Sequence, residues 1–600
     1  MLNRRQWLGR SAAAAATTGA WPAARAVAAD DPNAAFADLA ARYFADQMEL
    51  DPLRGSATLA DPKYEGRLSL GITPDDLARA RALNERVARE LAALPAAGLG
   101  PAERLSHELL GWQVQDALEG DRFPWQLMPI DQWGGLPVAL GNLARGDQTQ
   151  PLKTPTDYDN YLQRLLRLPE YNAQAIANMR EGIARGVTMP RPLIVSALPA
   201  LQNLAQPRLE KTAFGQALQA MPKGFSAADK ARIAQAYHRA YADRLRPSML
   251  ALLAFLRGPY LAACRSSASL AALPDGEAWY AWQVRSHTTT GMTPEQIHAL
   301  GLSEVARIRD EITALQAGFG FKGSVTAFLR WHEAQPRFRP YRSWDQVLQG
   351  YEALNRQVVP QLPRLFGHVP TQPLAIRLIP ELQRATTSPN YAAPAPDGSR
   401  PGIFFVGAPT VPAKYNNAGM TSLLLHEGQP GHHFHTCIQQ GLALPDFRRY
   451  GWFDAFGEGW ALYAETLGHE MGLYDDPTQH LGHLEAELHR AVRLVTDTGL
   501  HAKGWSREAT MRYMMDTEGV SEADARLSTE RYMAWPGQAL AYKIGQLKIS
   551  ELRQQSQRAL GTGFALSRYH DLVLSQGSLP LQVLQRQVEA WVAAGGPAPA

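Results

Sequence analysis

The sequence predicts a mainly α-helical fold of two lobes with a small antiparallel β-sheet, and three observations lead there. Apolar residues recur at three- and four-residue spacing through most of the 600 residues. Only two short runs are rich in β-branched and aromatic side chains, and no Gly/Ser linker, charge block or fixed-period repeat divides the chain. Hydrophobic residues make up 45% of the chain and charged ones 20%, which is enough apolar surface for a large core.

The first segment, MLNRRQWLGRSAAAAATTGAWPAARAVAAD, joins Arg4 and Arg5 to a weakly apolar Ala/Thr/Gly stretch and a small-residue site at Ala26, Val27 and Ala28. It reads as a twin-arginine export signal over residues 1–28, implying a periplasmic or secreted protein. Gly19 and Pro22 interrupt its apolar part, which falls short of the roughly 20 residues a membrane span needs, so no stable membrane anchor is expected. Cleavage removes Arg4, Arg5, Arg10 and Arg25 and no acid, taking the formal net charge from +3 to about −1. A near-neutral chain without Lys/Arg clusters offers nucleic acid no electrostatic footprint. Small or peptide-like substrates remain, and no feature specifies an oligomeric state. Cys264 and Cys437 allow at most one bridge, and neither has a second cysteine at zinc-finger spacing.

Residues 29–270 form the expected N-terminal helical lobe. AAFADLAARYFADQMEL, PDDLARARALNERVARELAAL and TDYDNYLQRLLRLPEYNAQAIANMREGIARG each carry an apolar stripe at helical spacing. The second lobe, 271–600, continues the same fold and carries the residues that point to a metal. Thr293 is a plausible N-cap and Pro294 a first helical residue for GLSEVARIRDEITALQ. Leu374 to Ile379 and Gly402 to Val406 are the two β-rich runs, separated by a Pro/Asn/Ser-rich loop and expected to pair antiparallel. The second run could offer an edge to an extended peptide. Helical patterning resumes after Met420 and holds to about Ala594.

The chemically informative segment is TSLLLHEGQPGHHFHTCIQQG, in which Leu423, Leu424 and Leu425 lead directly into His426 and Glu427. In an HExxH helix, two imidazoles four residues apart share a face and reach one zinc, with the glutamate beside the water. Here Pro430 takes the fifth position, and the next histidines are His432 and His433. Six residues turn a helix by roughly 240°, and seven climb roughly 10 Å, so a regular helix brings neither to a shared ion. Pro430 lacks an N–H and clashes with the His426 carbonyl, while Gly431 tolerates unusual dihedrals, so a bulge or kink is expected.

His432 is the favoured second ligand and His433 the alternative. FDAFGEGWALYAETLGHEMG supplies Glu458 as the third ligand, with Glu465 two turns later as an alternative ligand or a partner that holds an imidazole. Carboxylates are rarely buried without a partner, so Glu427 after a Leu triplet reads as a general base. His480, His483 and His489 read as a solvated helix face, and His435 and His469 as peripheral.

HEGQPGHH, FGEGWALYAE, DTGLHAKGWSREAT and WPGQALAYKIGQLKISELR, with HTTTGMTPEQIHALGLSEV and MREGIARG, resemble the bacterial family of unknown function DUF885. That family is grouped with gluzincin-like zinc metallopeptidases and carries an HExxPGHH motif. The resemblance implies one zinc ion held by His426, His432 and Glu458, with Glu427 as the base. It also implies a deep, helix-walled cleft suited to short peptides. The widening at Pro430 and Gly431 departs from the gluzincin spacing.

Metal-assisted peptide hydrolysis would need a donor for the developing oxyanion, for which Tyr542 and His501 are candidates. Arg531 and Tyr532 could grip a substrate carboxylate. An amidase acting on cell-wall peptides and a non-catalytic periplasmic peptide-binding protein are the competing readings.

Overall fold

The structure is a computed structural model that describes residues 31–146, 149–379, 388–407 and 411–598. The export signal expected over 1–28 lies outside the described residues. The helices expected in the first half form as Pro32–Leu50, Pro74–Ala93, Pro155–Leu166 and Leu168–Arg185, each with proline in its first two positions. Proline lacks an N–H that the first turn would leave unsatisfied, and its fixed φ suits the helix start. Helix α1, Pro294–Gln316, opens on a capping box in which Thr293 and Gln296 satisfy each other's backbone N–H groups, as its sequence predicts.

Five further helices frame the site: α2 (Met420–Glu427), α3 (His432–Gly441), α4 (Asp454–Thr466), α5 (Pro477–Ala502) and α6 (Ala541–Leu560). α1 packs along α5, α4 packs along α6, and α2 touches both α4 and α5. The α4–α6 crossing is unusually close because two glycines meet there. A Cβ on Gly545 would lie 1.8 Å from the Ala455 carbonyl oxygen, and one on Gly459 would lie 2.5 Å from the Gly545 Cα. This contact brings Tyr542, one turn before Gly545, into the neighbourhood of Glu458.

Two large apolar cores stabilise the molecule, and each draws on both halves of the sequence. One gathers residues between Leu70 and Leu329 with others between Leu481 and Ala539; the second gathers Phe36 to Val114 and later residues from Val347 to Trp591. α5 buries Leu481, Leu484, Leu488 and Val492 in the first core, whereas α2, α3 and α4 bury Leu424, Phe434 and Trp460 in the second. Where α2 meets α5, the polar residues of both helices are enclosed between the two cores. Among the described residues, no helix is long and apolar enough to cross a membrane.

The sheet corrects one expectation. β1 (Leu374–Leu378) and β3 (Gly402–Val406) pair in parallel, and β2 (Asn390–Ala392) pairs antiparallel with β3, giving the order β1-β3-β2. A parallel pair needs a crossover of a dozen or more residues, and the long connection between the two β-rich runs provides one. β3 is therefore the central strand, buried at every residue. It presents no edge, so the pairing of an extended peptide with it is ruled out.

Candidate metal centre

The helix carrying His426 does not bulge; it breaks. α2 stops at Glu427, where the Gly428 N–H donates to the Leu424 carbonyl at 2.8 Å, and a new helix starts at His432 after a cis Gln429–Pro430 peptide. Pro430 has no N–H to continue the ladder. At the next residue a Cβ would lie 2.0 Å from the His426 carbonyl oxygen, so only glycine passes at Gly431. Trp460 of α4 donates its indole N–H to the Pro430 carbonyl at 2.8 Å, fastening the break to the helix that carries Glu458. The two imidazoles end up with centroids 4.8 Å apart and planes at 85°.

Glu458 Oε2 lies 3.6 Å from His426 Nε2 and 3.3 Å from His432 Nε2. The three ligating atoms lie within 4.8 Å of one another, a cluster that could hold a metal ion. Glu458 Oε2 is buried and has no hydrogen-bond partner, so a negative oxygen is enclosed among imidazole nitrogens with a place for a cation. Burial opposes the charge on Glu458, but His432 and His426 outweigh it and hold the carboxyl well below the usual range. Burial also opposes a proton on His426, yet Glu458 and Glu465 push it up to about 9.

Glu465 stands behind the first imidazole. Its Oε1 accepts from His426 Nδ1 at 2.8 Å, its Oε2 accepts from the Ser422 hydroxyl, and Arg490 Nη2 approaches to 3.3 Å. It is thus a partner of a ligand and does not join the ligand cluster, because its oxygens are engaged on the far side of the ring. Its bond to Nδ1 selects the tautomer that frees Nε2 for a metal. Glu465→Gln is expected to weaken metal binding by about 10–100-fold, the usual effect of losing such a partner, as read by competition with a chromogenic chelator. Unchanged affinity would remove Glu465 from the support of the site.

His433, the alternative ligand, stays outside the cluster. It follows His432 on α3 but turns to the sheet, where Nε2 lies 2.9 Å from the Gln372 carbonyl and Nδ1 lies 3.1 Å from the Tyr391 hydroxyl. A Cβ on Gly402 would come 2.4 Å from His433 Nδ1, so the glycine that opens β3 makes room for this ring. Glu427, by contrast, has no hydrogen-bond or ion-pair partner among the described residues. Burial raises its pKa, while the charges of His426, His432 and Glu458 reach it from the cluster.

The other predicted site residues divide. The Tyr542 ring lies nearly parallel to the His426 imidazole, 6.5 Å between centroids, and its oxygen accepts from Arg531 Nη2 at 3.0 Å and from Gln538 Nε2 at 3.4 Å. His501 is a correction: Nδ1 accepts from the Leu270 N–H and Nε2 donates to the Tyr532 carbonyl, each at 3.0 Å. Both nitrogens are occupied in a core where burial pushes its pKa down to about 3, so it cannot serve an oxyanion. Tyr532 is 1% exposed, and its buried hydroxyl has no hydrogen-bond partner among the described residues.

The model of the family described as "Bacterial protein of unknown function (DUF885)" matches residues 55–588. The chain belongs to DUF885. This member resembles a solved "putative lipoprotein" from Colwellia psychrerythraea at 26% identity and TM-score 0.87, covering 94% of this chain and 100% of that one. A second "putative lipoprotein of unknown function", from Shewanella oneidensis, shares the fold at 18% identity and TM-score 0.70, over 92% of this chain and 99% of that one. No curated protein matches the sequence.

What sequence reasoning missed in this DUF885 chain is a stripe on α5. His483, Glu487, Arg490, Arg493, Asp497 and His501 follow one another at three- or four-residue steps, and all are buried or nearly so. His483 lies 3.5 Å from the Ser422 hydroxyl and 3.9 Å from Glu465, not on a solvated face. His489 bonds Glu518 at 2.6 Å. His435, expected to be peripheral, is fully buried against Trp452 and Phe456. The detectable signal was the polar 3-4 stripe within an otherwise apolar helix, which a search for isolated histidines overlooks. Cys264 and Cys437 are both free thiols.

Proposed function

We propose that this protein is an exported zinc peptidase that hydrolyses peptide bonds in short peptides. The observation that carries the reading is the buried, hydrogen-bond-free Glu458 oxygen between two imidazole nitrogens, with Glu427, unpartnered among the described residues, directly after His426 in sequence and within the field of all three groups. Two imidazoles and one carboxylate are the donor set of a catalytic zinc site with three protein ligands and an open position. When bound there, zinc supplies Lewis acidity toward the scissile carbonyl and lowers the pKa of water.

The chain's own residues do the rest. Glu427 accepts a proton from the attacking water and returns it to the leaving amine, and the burial that raises its pKa makes it a better acceptor. Tyr542 receives hydrogen bonds from Arg531 and Gln538, which leaves its own O–H to donate toward the oxygen that gains charge. Glu465 and Arg490 hold the His426 ring in orientation. Export is supported by the paired arginines at Arg4 and Arg5 and by the likeness to the Colwellia chain.

Purified protein is expected to contain one equivalent of zinc, to release amino acids or small peptides from unblocked oligopeptides, and to lose that activity reversibly on chelation. Stoichiometric zinc with no cleavage of short peptides would sink the peptidase reading. Turnover confined to muropeptides would replace it with the amidase.

A further inference from the structure

Among the described residues, the buried or nearly buried cations Arg490, Lys543, Arg164 and Arg448 are met by acceptors, and Arg493 is not met in the same way. Arg490 meets Glu465 at 3.3 Å, and Lys543 meets Glu487 at 2.6 Å and Glu304 at 2.9 Å. Arg164 and Arg448, also buried, lack carboxylates but donate to carbonyl, amide or hydroxyl oxygens. Arg493 on α5 is 8% exposed, yet its Nε and Nη1 have no hydrogen-bond partner, and it forms no ion pair among the described residues. A buried guanidinium with two nitrogens left unpaired and no ion pair is strongly disfavoured unless something outside the chain completes it.

Its position says what that is. The Arg493 guanidinium carbon lies 4.5 Å from the centre of the Tyr542 ring, and that of Arg531 lies 6.0 Å from the same centre. The same ring lies 6.5 Å from the His426 imidazole. Arg531 donates only to neutral oxygens, Gln538 Oε1 at 2.9 Å and Tyr542 Oη at 3.0 Å. Two guanidiniums with no carboxylate at ion-pair distance among the described residues thus lie against one tyrosine beside the metal cluster, an arrangement suited to a planar, bidentate anion.

We infer that Arg493 and Arg531, both beside Tyr542, bind the free α-carboxylate of a peptide, so that cleavage proceeds from the C-terminus. This rests on the peptidase reading for the reaction, but the carboxylate site itself is a matter of binding.

The test uses zinc-loaded Glu427→Gln protein, to measure binding without turnover, and three probes: acetylated penta-alanine as the free acid, its C-terminal amide, and an amidated analogue ending in glutamate. The free acid is expected to bind at least about ten-fold more tightly than either amide, the scale of one bidentate charge-assisted contact. Adding Arg493→Gln, or separately Arg531→Gln, should bring that ratio close to one. Arg493→Lys, which keeps the charge without the fork, controls for folding and should retain part of the preference. Equal binding of acid and amide, binding of none of them, or a preference that survives both substitutions overturns the inference. Equal binding of the glutamate amide and the free acid overturns its assignment to the chain terminus. The two readings fail separately: preferential binding of the acid with no hydrolysis by the unmodified enzyme ends only the peptidase reading, and equal hydrolysis of acid and amide ends only the carboxylate site.

Discussion

Glu427→Gln protein is expected to keep its zinc and lose at least about 100-fold in turnover, the contribution typical of a positioned general base. The substitution preserves the size of the side chain and the ability to hydrogen-bond, so packing at the end of α2 is undisturbed. What it removes is basicity. Glu427 is 6% exposed and, unlike Glu465, has no donor holding its carboxylate among the described residues. Its burial raises its proton affinity while it lies within the field of the His426, His432 and Glu458 cluster. The check is steady-state hydrolysis of an unblocked oligopeptide alongside metal analysis of the same preparation. Turnover within a few-fold of the parent, with zinc present, would deny Glu427 its assigned part.

The second large effect separates adjacent histidines. His432→Ala is expected to lower zinc affinity by more than about 100-fold, beyond what loss of a supporting partner causes, because it removes a nitrogen 3.3 Å from the Glu458 oxygen. His433→Ala is expected to retain one equivalent of zinc. Its ring faces the Gln372 carbonyl and the Tyr391 hydroxyl, so its loss costs about 1–3 kcal/mol of stability by leaving buried polar groups unpaired. Chelator competition and thermal unfolding, measured on both variants, distinguish the two outcomes. The reverse pattern, with zinc lost from His433→Ala and kept by His432→Ala, would require a different turn between α2 and α3.

The helices were legible because their signals are local. Proline at the first position, Thr, Ser or Asp just before it, and an apolar stripe at 3-4 spacing recur at Thr73, Thr154 and Thr293, and each starts a helix in the structure. Strand direction was not legible, since Leu374–Leu378 and Gly402–Val406 read alike whether paired parallel or antiparallel. The intervening Asn390–Ala392, too short to register as a strand, takes the antiparallel position. The roles of His501 and Tyr532 were equally opaque. Each sits near the motif blocks in sequence, but their polar contacts are made with Leu270 and with each other across the core.

Sequence alone determined which residue types could form the centre: His426, Glu427, His432 and Glu458 stand in two apolar helical segments, and Pro430 with Gly431 forbids a continuous helix between the histidines. Only the tertiary structure decided the rest. The angle at which the chain leaves α2 depends on the Trp460 indole holding the Pro430 carbonyl, and the space for His433 depends on a glycine in a strand some thirty residues earlier. Local spacing specifies periodicity and forbidden dihedrals, whereas the direction in which a side chain points after a break is set by contacts with distant segments, and those exist only once the two cores have closed.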